Sequence, residues 1–296
     1  MSEYSIRNSY LTIKVDTIGA ELTSICDNAT GKEYLWSADP AYWKRHAPIL
    51  FPVVGSLKEK SYRYQGKDYT LPQHGFARDL EFKLISHNDT ELWFSLDASE
   101  DTKKVYPFDF RLELGYSLKE RQVIAYWRVV NTGKEKMHFS IGGHPAFYCP
   151  LDPEQKQSDY YFAFDTKQPI RYLLVNEQGL EVKLPMEAQH VLPTDDGIVR
   201  IDSHLFDHDA LIIEDHQCHQ VSLLDADQKP YLRVSFDAPL FGLWSPPGKQ
   251  APFVCIEPWY GRCDSSDFSG TLEERDYSNS LSIGEVFEKS YRIEIL

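Results

Sequence analysis

Apolar and polar residues alternate with a period of two along most of this 296-residue chain, the spacing of half-buried β-strands. In "FRLELGYSL" the residues Phe110, Leu112, Leu114, Tyr116 and Leu118 fall on one face, with Arg111, Glu113 and Ser117 on the other. "YLRVSF" repeats the pattern with Leu232, Val234 and Phe236, and "YRIEI" with Tyr291, Ile293 and Ile295. "VIAYWRVVN", from Val123 to Asn131, is nearly unbroken in apolar residues, which predicts a strand covered on both faces. Turn signals separate these runs: "YQGKDY" at 64–69, "NTGKEK" at 131–136 and "SPPGKQ" at 245–250. "RYQGKDYTL" predicts a hairpin with Gly66 in its turn. Helical patterning is short where it occurs; "DPAYWKRH", with Asp39 as N-cap and Pro40 at the first helical position, predicts a brief helix. The prediction is an all-β chain, a large antiparallel β-sandwich or barrel with a few short helices. Without a repeat, linker or low-complexity stretch, residues 1–296 read as a single domain.

Composition narrows function more than fold. Aromatics make up 14% of the chain, which suits pleated surfaces, and its length buries a large core without staples. Against 31 basic residues stand 45 acidic ones, a net charge of −14. A surface of that sign repels phosphate backbones and anionic lipid, so nucleic acid and membrane are excluded as main partners. A few local Arg and Lys residues can still hold a small anion. Five scattered cysteines (Cys26, Cys149, Cys218, Cys255 and Cys263) form no CxxC pair and no metal-ligand spacing with the histidines, so no metal is expected. "MSEYSIRNSY" lacks the basic and apolar blocks of a signal peptide, and no apolar stretch nears the ~18 residues of a membrane span. A cytoplasmic chain with reduced thiols is expected; the pattern leaves oligomeric state open.

Three stretches break the alternating background. "LPQHGFARD" carries His74 and Arg78, "IGGHPAF" carries His144, and "CIEPWYGRCD" carries Glu257 followed by Pro, Trp and Tyr. Each sets a titratable group beside Gly or Pro at a strand end, where a side chain can face a cleft. A Trp–Tyr pair beside a carboxylate suits a sugar, whose C–H face stacks on aromatic rings while polar groups bind the hydroxyls. A carboxylate and an imidazole, with ordinary pKa values on either side of the working range, can pass protons in both directions. The plain alternatives are hydrogen-bonded turn histidines, a surface glutamate, and Trp259 and Tyr260 as core filler. Three such decorations on one chain favour a site.

These motifs, together with "HAPILFPVVGSLK" and the terminal "LSIGEVFEKSYRIEI", resemble the aldose 1-epimerase (galactose mutarotase-like) family, and within it a bacterial LacX-like branch. The resemblance runs over essentially the whole chain and implies a large antiparallel β-sandwich that interconverts hexose anomers without a cofactor. It implies Glu257 as the base that takes the anomeric hydroxyl proton and His144 as the acid that protonates the ring oxygen. His74 would hydrogen-bond near that oxygen, and Asp209, with Asp207 as the alternative, would bind a sugar hydroxyl. Trp259 and Tyr260 are the aromatic platform read above, and Lys58 or Arg78 would take over the contact of a family arginine that this chain lacks. Gly142 and Gly143 would let the backbone approach the sugar, and Pro145 would aim His144. Relatives bearing "HGFAR" act on hexose 6-phosphates, so Arg45, Lys58, Lys60, Arg78 and Arg262 are candidate phosphate ligands, and the partner is a small sugar or sugar phosphate. One departure stands out: the family arginine after the glycine of the "FPxxG" stretch is Ser56 here. That departure motivates an alternative, a non-catalytic carbohydrate-binding or sensing protein on the same scaffold. Glycoside hydrolysis would need two flanking carboxylates, and only Glu257 sits in a motif.

Overall fold

The computed structural model describes residues 2–296, and two sheets hold most of their strand residues. A nine-stranded sheet runs in the order Ile198–Arg200, Tyr161–Phe164, Gln220–Leu224, Pro230–Phe236, Val286–Ile295, Gln122–Asn131, Phe110–Lys119, Glu91–Asp97, Lys83–His87. A six-stranded sheet orders Leu211–Ile213, Leu240–Trp244, Phe253–Tyr260, Ile141–Gly143 and Ile49–Leu50, with Ala146–Tyr148 also paired to Phe253–Tyr260. The long ladders are antiparallel.

The faces follow the alternation. Phe110, Leu112, Leu114, Leu232, Val234, Tyr291 and Ile293 of the large sheet meet Ile141, Leu211, Leu243, Val254 and Ile256 of the smaller one in a single core. Each buried Leu or Ile contributes roughly 1.5–3 kcal/mol, so this two-sided core dominates the stability of the sandwich. The predicted hairpin forms from Ser61–Tyr64 and Lys67–Thr70. Its turn residues Gln65 and Gly66 both have positive φ (48° and 74°), as tight hairpins require.

Two expectations are corrected. Strand Gln122–Asn131 is covered on one face only: Val123, Ala125, Trp127 and Val129 are buried, while Ile124, Tyr126, Arg128 and Val130 are half-buried. Its outer face is roofed by neighbours in the same sheet. Tyr126 stacks on Trp93 at 5.5 Å, and Arg128 pairs with Glu113 and Glu288, each at 2.8 Å. Residues 39–46 form turns instead of a helix. The Asp39 carboxylate accepts the Ala41 N–H at 2.9 Å, and its carbonyl accepts from Tyr42 and Trp43, a local bonding pattern that competes with helix. The α-helix lies at Glu100–Val105, capped reciprocally by Ser99 and Thr102.

Strand Phe253–Tyr260 places the site. Val254, Ile256 and Tyr260 face the main core. The alternate positions Phe253, Cys255 and Trp259 belong to two satellite clusters on the opposite side of the sheet, one at each end of this stretch. Glu257 lies between them.

Candidate active site

Register brings the two central groups together. Gly142 pairs with Trp259, and Ala146 pairs with Cys255, across the same strand. Both pairings share one register, which puts His144 opposite Glu257. His144 Nε2 lies 3.3 Å from Glu257 Oε2, and both side chains are buried. Their cleft of about 220 Å³ is also lined by His74, Arg78, Asp209, Trp259, Trp43 and Trp244.

His74 sits at a turn tip with φ 65°, and its Nδ1 accepts the Gly55 N–H at 3.1 Å. The neutral ring therefore carries its hydrogen on Nε2, leaving a donor for a ligand oxygen. Trp259 is seated by two glycines on the flanking strands. A Cβ on Gly142 would fall 2.6 Å from the indole, and one on Gly242 2.4 Å. These absences make a slot in which the ring lies across the sheet beside Glu257.

Other expected residues are placed differently. Tyr260 points away from the cleft, because on a strand it lies on the opposite face from Glu257 and Trp259; its ring meets Trp127 and Phe287 in the core. Lys58 is also outside the cleft, its Nζ donating to the Phe268 carbonyl at 2.8 Å. Arg262 is buried among Glu181, Glu214 and Asp276 and has no free face for a phosphate. Asp209 lines the cleft, whereas Asp207 pairs with the exposed His204 at 2.8 Å. Gly142 makes room for Trp259, and Gly143 for the core rings of Trp127 and Tyr291, so neither opens the backbone to a sugar. Ser56 lies beneath the 176–180 turn, its Oγ 2.8 Å from where a Gly179 Cβ would stand. A longer side chain at 56 would collide with that turn.

Sequence reasoning missed Trp43 and Trp244, which flank His144 with ring centroids at 4.8 and 5.3 Å. Trp244 ends an apolar strand, a signal that was available. Trp43 lies in a stretch read as a helix, where nothing local marks it.

Burial and charge set the protonation states. Glu257 is pushed well above the usual carboxylate range by burial and then by the Asp209 carboxylate, with the neighbouring Trp259 N–H opposing. His144 is lowered to about 3 by burial and by the nearby Arg78 and Arg45 charges, and its own carbonyl works the other way. His74 is lowered well below its usual value by burial, then by His144. Burial thus favours the neutral form of all three groups, the carboxyl of Glu257 and the imidazoles of His144 and His74. The Cys263 thiol on the cleft wall is pushed up to about 12 by burial, which makes it a poor nucleophile.

The ligand atoms of His144, Cys255 and Glu257 lie within 4.8 Å of one another. A cation there would have to displace protons that burial holds on both the thiol and the carboxyl group, and no metal is assigned to this set.

The fold is galactose mutarotase-like. A galactose mutarotase related enzyme from Lactobacillus acidophilus superposes with a TM-score of 0.93 at 35% identity, over 100% of this chain and 97% of that one. A galactose mutarotase-like protein from Lactobacillus casei superposes equally well, TM-score 0.93, at 26% identity over 100% of both chains. The family model described as aldose 1-epimerase matches residues 2–282. Protein LacX of Lactococcus lactis subsp. lactis is 35% identical over 98% of each chain. This chain belongs to the aldose 1-epimerase family, which places it among isomerases that act on sugars.

Proposed function

We propose that the cleft interconverts the α and β anomers of a hexose, carrying a 6-phosphate, by opening and reclosing the sugar ring. The 3.3 Å approach of His144 Nε2 to Glu257 Oε2 in a cleft sized for one sugar ring carries this reading. Opening the ring removes a proton from the anomeric hydroxyl and adds one to the ring oxygen, so the pair must hold one proton and one vacancy. Sugar hydroxyls donating to Glu257 favour its carboxylate and shift the shared proton to His144. Glu257 then takes the hydroxyl proton as His144 protonates the ring oxygen, and His74 Nε2–H donates to a neighbouring oxygen. Rotation about C1–C2 and the reverse transfers complete the exchange. Paired acid–base transfer of this kind supplies roughly 10²–10⁴-fold.

The pH profile tests the pairing. Activity needs one proton on the pair, which is lost as pH rises through the raised carboxyl pKa of Glu257. Asp209 is one cause of that elevation. Asp209→Asn should therefore move the alkaline limb of kcat/KM to lower pH, whatever it does to the plateau. A limb that stays put would detach it from Glu257.

The phosphate is argued from Arg45 and Arg78. Arg45 Nη2 lies 2.7 Å from Asp79 Oδ1, and Arg78 Nε lies 3.8 Å from Oδ2 of the same carboxylate. Both guanidinium groups lean on the Asp79 carboxylate, with Glu21 acting on each from farther off, and Arg78 Nε has no hydrogen-bond partner. Burial pushes Arg78 down to about 10, which leaves it charged at neutral pH. An anion beside Arg78 gives Nε the acceptor it lacks. Arg78→Met should raise KM for glucose or galactose 6-phosphate by roughly tenfold or more while KM for free hexoses barely moves; kcat should shift alike for both, because the Arg78 charge also acts on His144. An equal rise in KM for both substrates would point to an unphosphorylated hexose.

Saturation-transfer NMR on the anomeric protons of both hexoses and their 6-phosphates tests the whole reading. Binding without exchange for any of them would favour the sensing protein.

A further inference from the structure

We infer that Trp43 is a positioning residue whose indole face holds the His144 imidazole in the plane that aims Nε2 at Glu257. This rests on His144 acting as the acid. A proton-transferring imidazole is ordinarily fixed by a hydrogen bond on its second ring nitrogen. His144 has none: its buried Nδ1 makes no hydrogen bond, and its own carbonyl falls short of that geometry. Aromatic rings surround it instead. Trp43 lies over the ring, centroids 4.8 Å apart and planes 30° apart. Trp244 and His74 meet it edge-on, at 83° and 84°. The outer torsion of histidine is broad, and turning the ring would carry Nε2 away from Glu257. The face-on indole is the contact that opposes this turn.

Trp43 is itself held from several sides. Its carbonyl accepts the Trp36 indole N–H at 2.9 Å, and Lys249 Nζ donates to the adjacent Tyr42 carbonyl at 2.8 Å. Its ring meets Trp244 edge-on at 5.5 Å and Phe253 at 5.8 Å in near-parallel planes. A side chain fixed this way is preorganised although it sits in a loop. The negative face of an indole also favours a cation above it, which offsets burial at the moment His144 gains its proton. Trp43 thus bears on turnover more than on sugar affinity.

The test compares Trp43→Leu and Trp43→Phe with wild type and Glu257→Gln. It reads kcat and KM for anomer exchange, thermal melting, and the ¹⁵N ring signals of His144 assigned with His144→Asn. Trp43→Leu should lower kcat roughly 10- to 100-fold, the cost of a small misplacement, and broaden or shift the His144 signals while KM barely moves. Trp43→Phe, which keeps an aromatic face, should restore most of both. Trp43→Met fills the gap without a π face and replaces the leucine variant should that one melt below assay temperature. A raised KM with kcat intact would make Trp43 a sugar platform and overturn the inference. So would unchanged kinetics and ring signals in Trp43→Leu. A wild type without exchange, or a Glu257→Gln variant that exchanges normally, would defeat the epimerase reading, while the ring signals would still decide what holds His144.

Discussion

Glu257→Gln should reduce the anomer-exchange rate by roughly 10²–10⁴-fold, the share that a paired acid and base contribute. The amide matches the carboxyl group in size and removes the carboxylate that faces His144 and accepts the anomeric proton. Because burial favours the neutral form of Glu257, the substitution keeps the favoured charge state, and melting should stay near that of the wild type. Saturation transfer between the anomeric proton signals measures the rate directly, and sugar line broadening reports binding separately. The variant should still bind, since His74, Arg78 and the Trp259 face remain. Exchange at the wild-type rate would remove Glu257 from the mechanism.

Arg262→Met should cost about 3–5 kcal/mol of folding stability, the usual penalty for removing one partner from a buried ionic cluster. Arg262 Nη1 lies 2.8 Å from Glu181 and Nη2 2.9 Å from Asp276, and Nε pairs with Glu214. Its side chain is 4% exposed and that of Glu181 1%. Burial raises the pKa of both Glu181 and Glu214, and Arg262 is the leading cause that lowers each again. Losing the guanidinium raises both folded pKa values further. A carboxyl group raised in the folded state contributes stability that is lost as pH rises through that folded pKa. The melting deficit of Arg262→Met should therefore widen from mildly acidic to mildly alkaline buffer; a deficit independent of pH would show that these carboxyl groups do not depend on Arg262. Activity should fall too, because the segments carrying Glu181 and Glu214 adjoin Val175, Gly179 and Ile212 on the cleft wall.

The faces of Phe110–Lys119, Pro230–Phe236 and Val286–Ile295 were legible because a strand repeats every two residues and its inward positions are apolar. Parity also determined more than was read from it: in "CIEPWY", Glu257 and Trp259 must share a face and Tyr260 must oppose them. The titratable groups stood out for a local reason, their place beside Gly or Pro at strand ends. Their association did not. His144 meets Glu257 through a pairing register between strands distant in sequence, and no local pattern encodes that register.

The chain alone determined an antiparallel β architecture, a net charge of −14, and the titratable groups set beside Gly or Pro, because periodicity, charge and residue type are local or additive quantities. Only the tertiary structure decided which cations stay free. Arg262 and Lys58 look like their neighbours in sequence, yet one is captured by three carboxylates and the other by a carbonyl, while Arg45 and Arg78 share a single aspartate. The same holds for the protonation of Glu257 and His144, and for the indole that covers the imidazole. Burial and the competition among charges arise from every segment packed around a group, and those segments meet only when the sheets close.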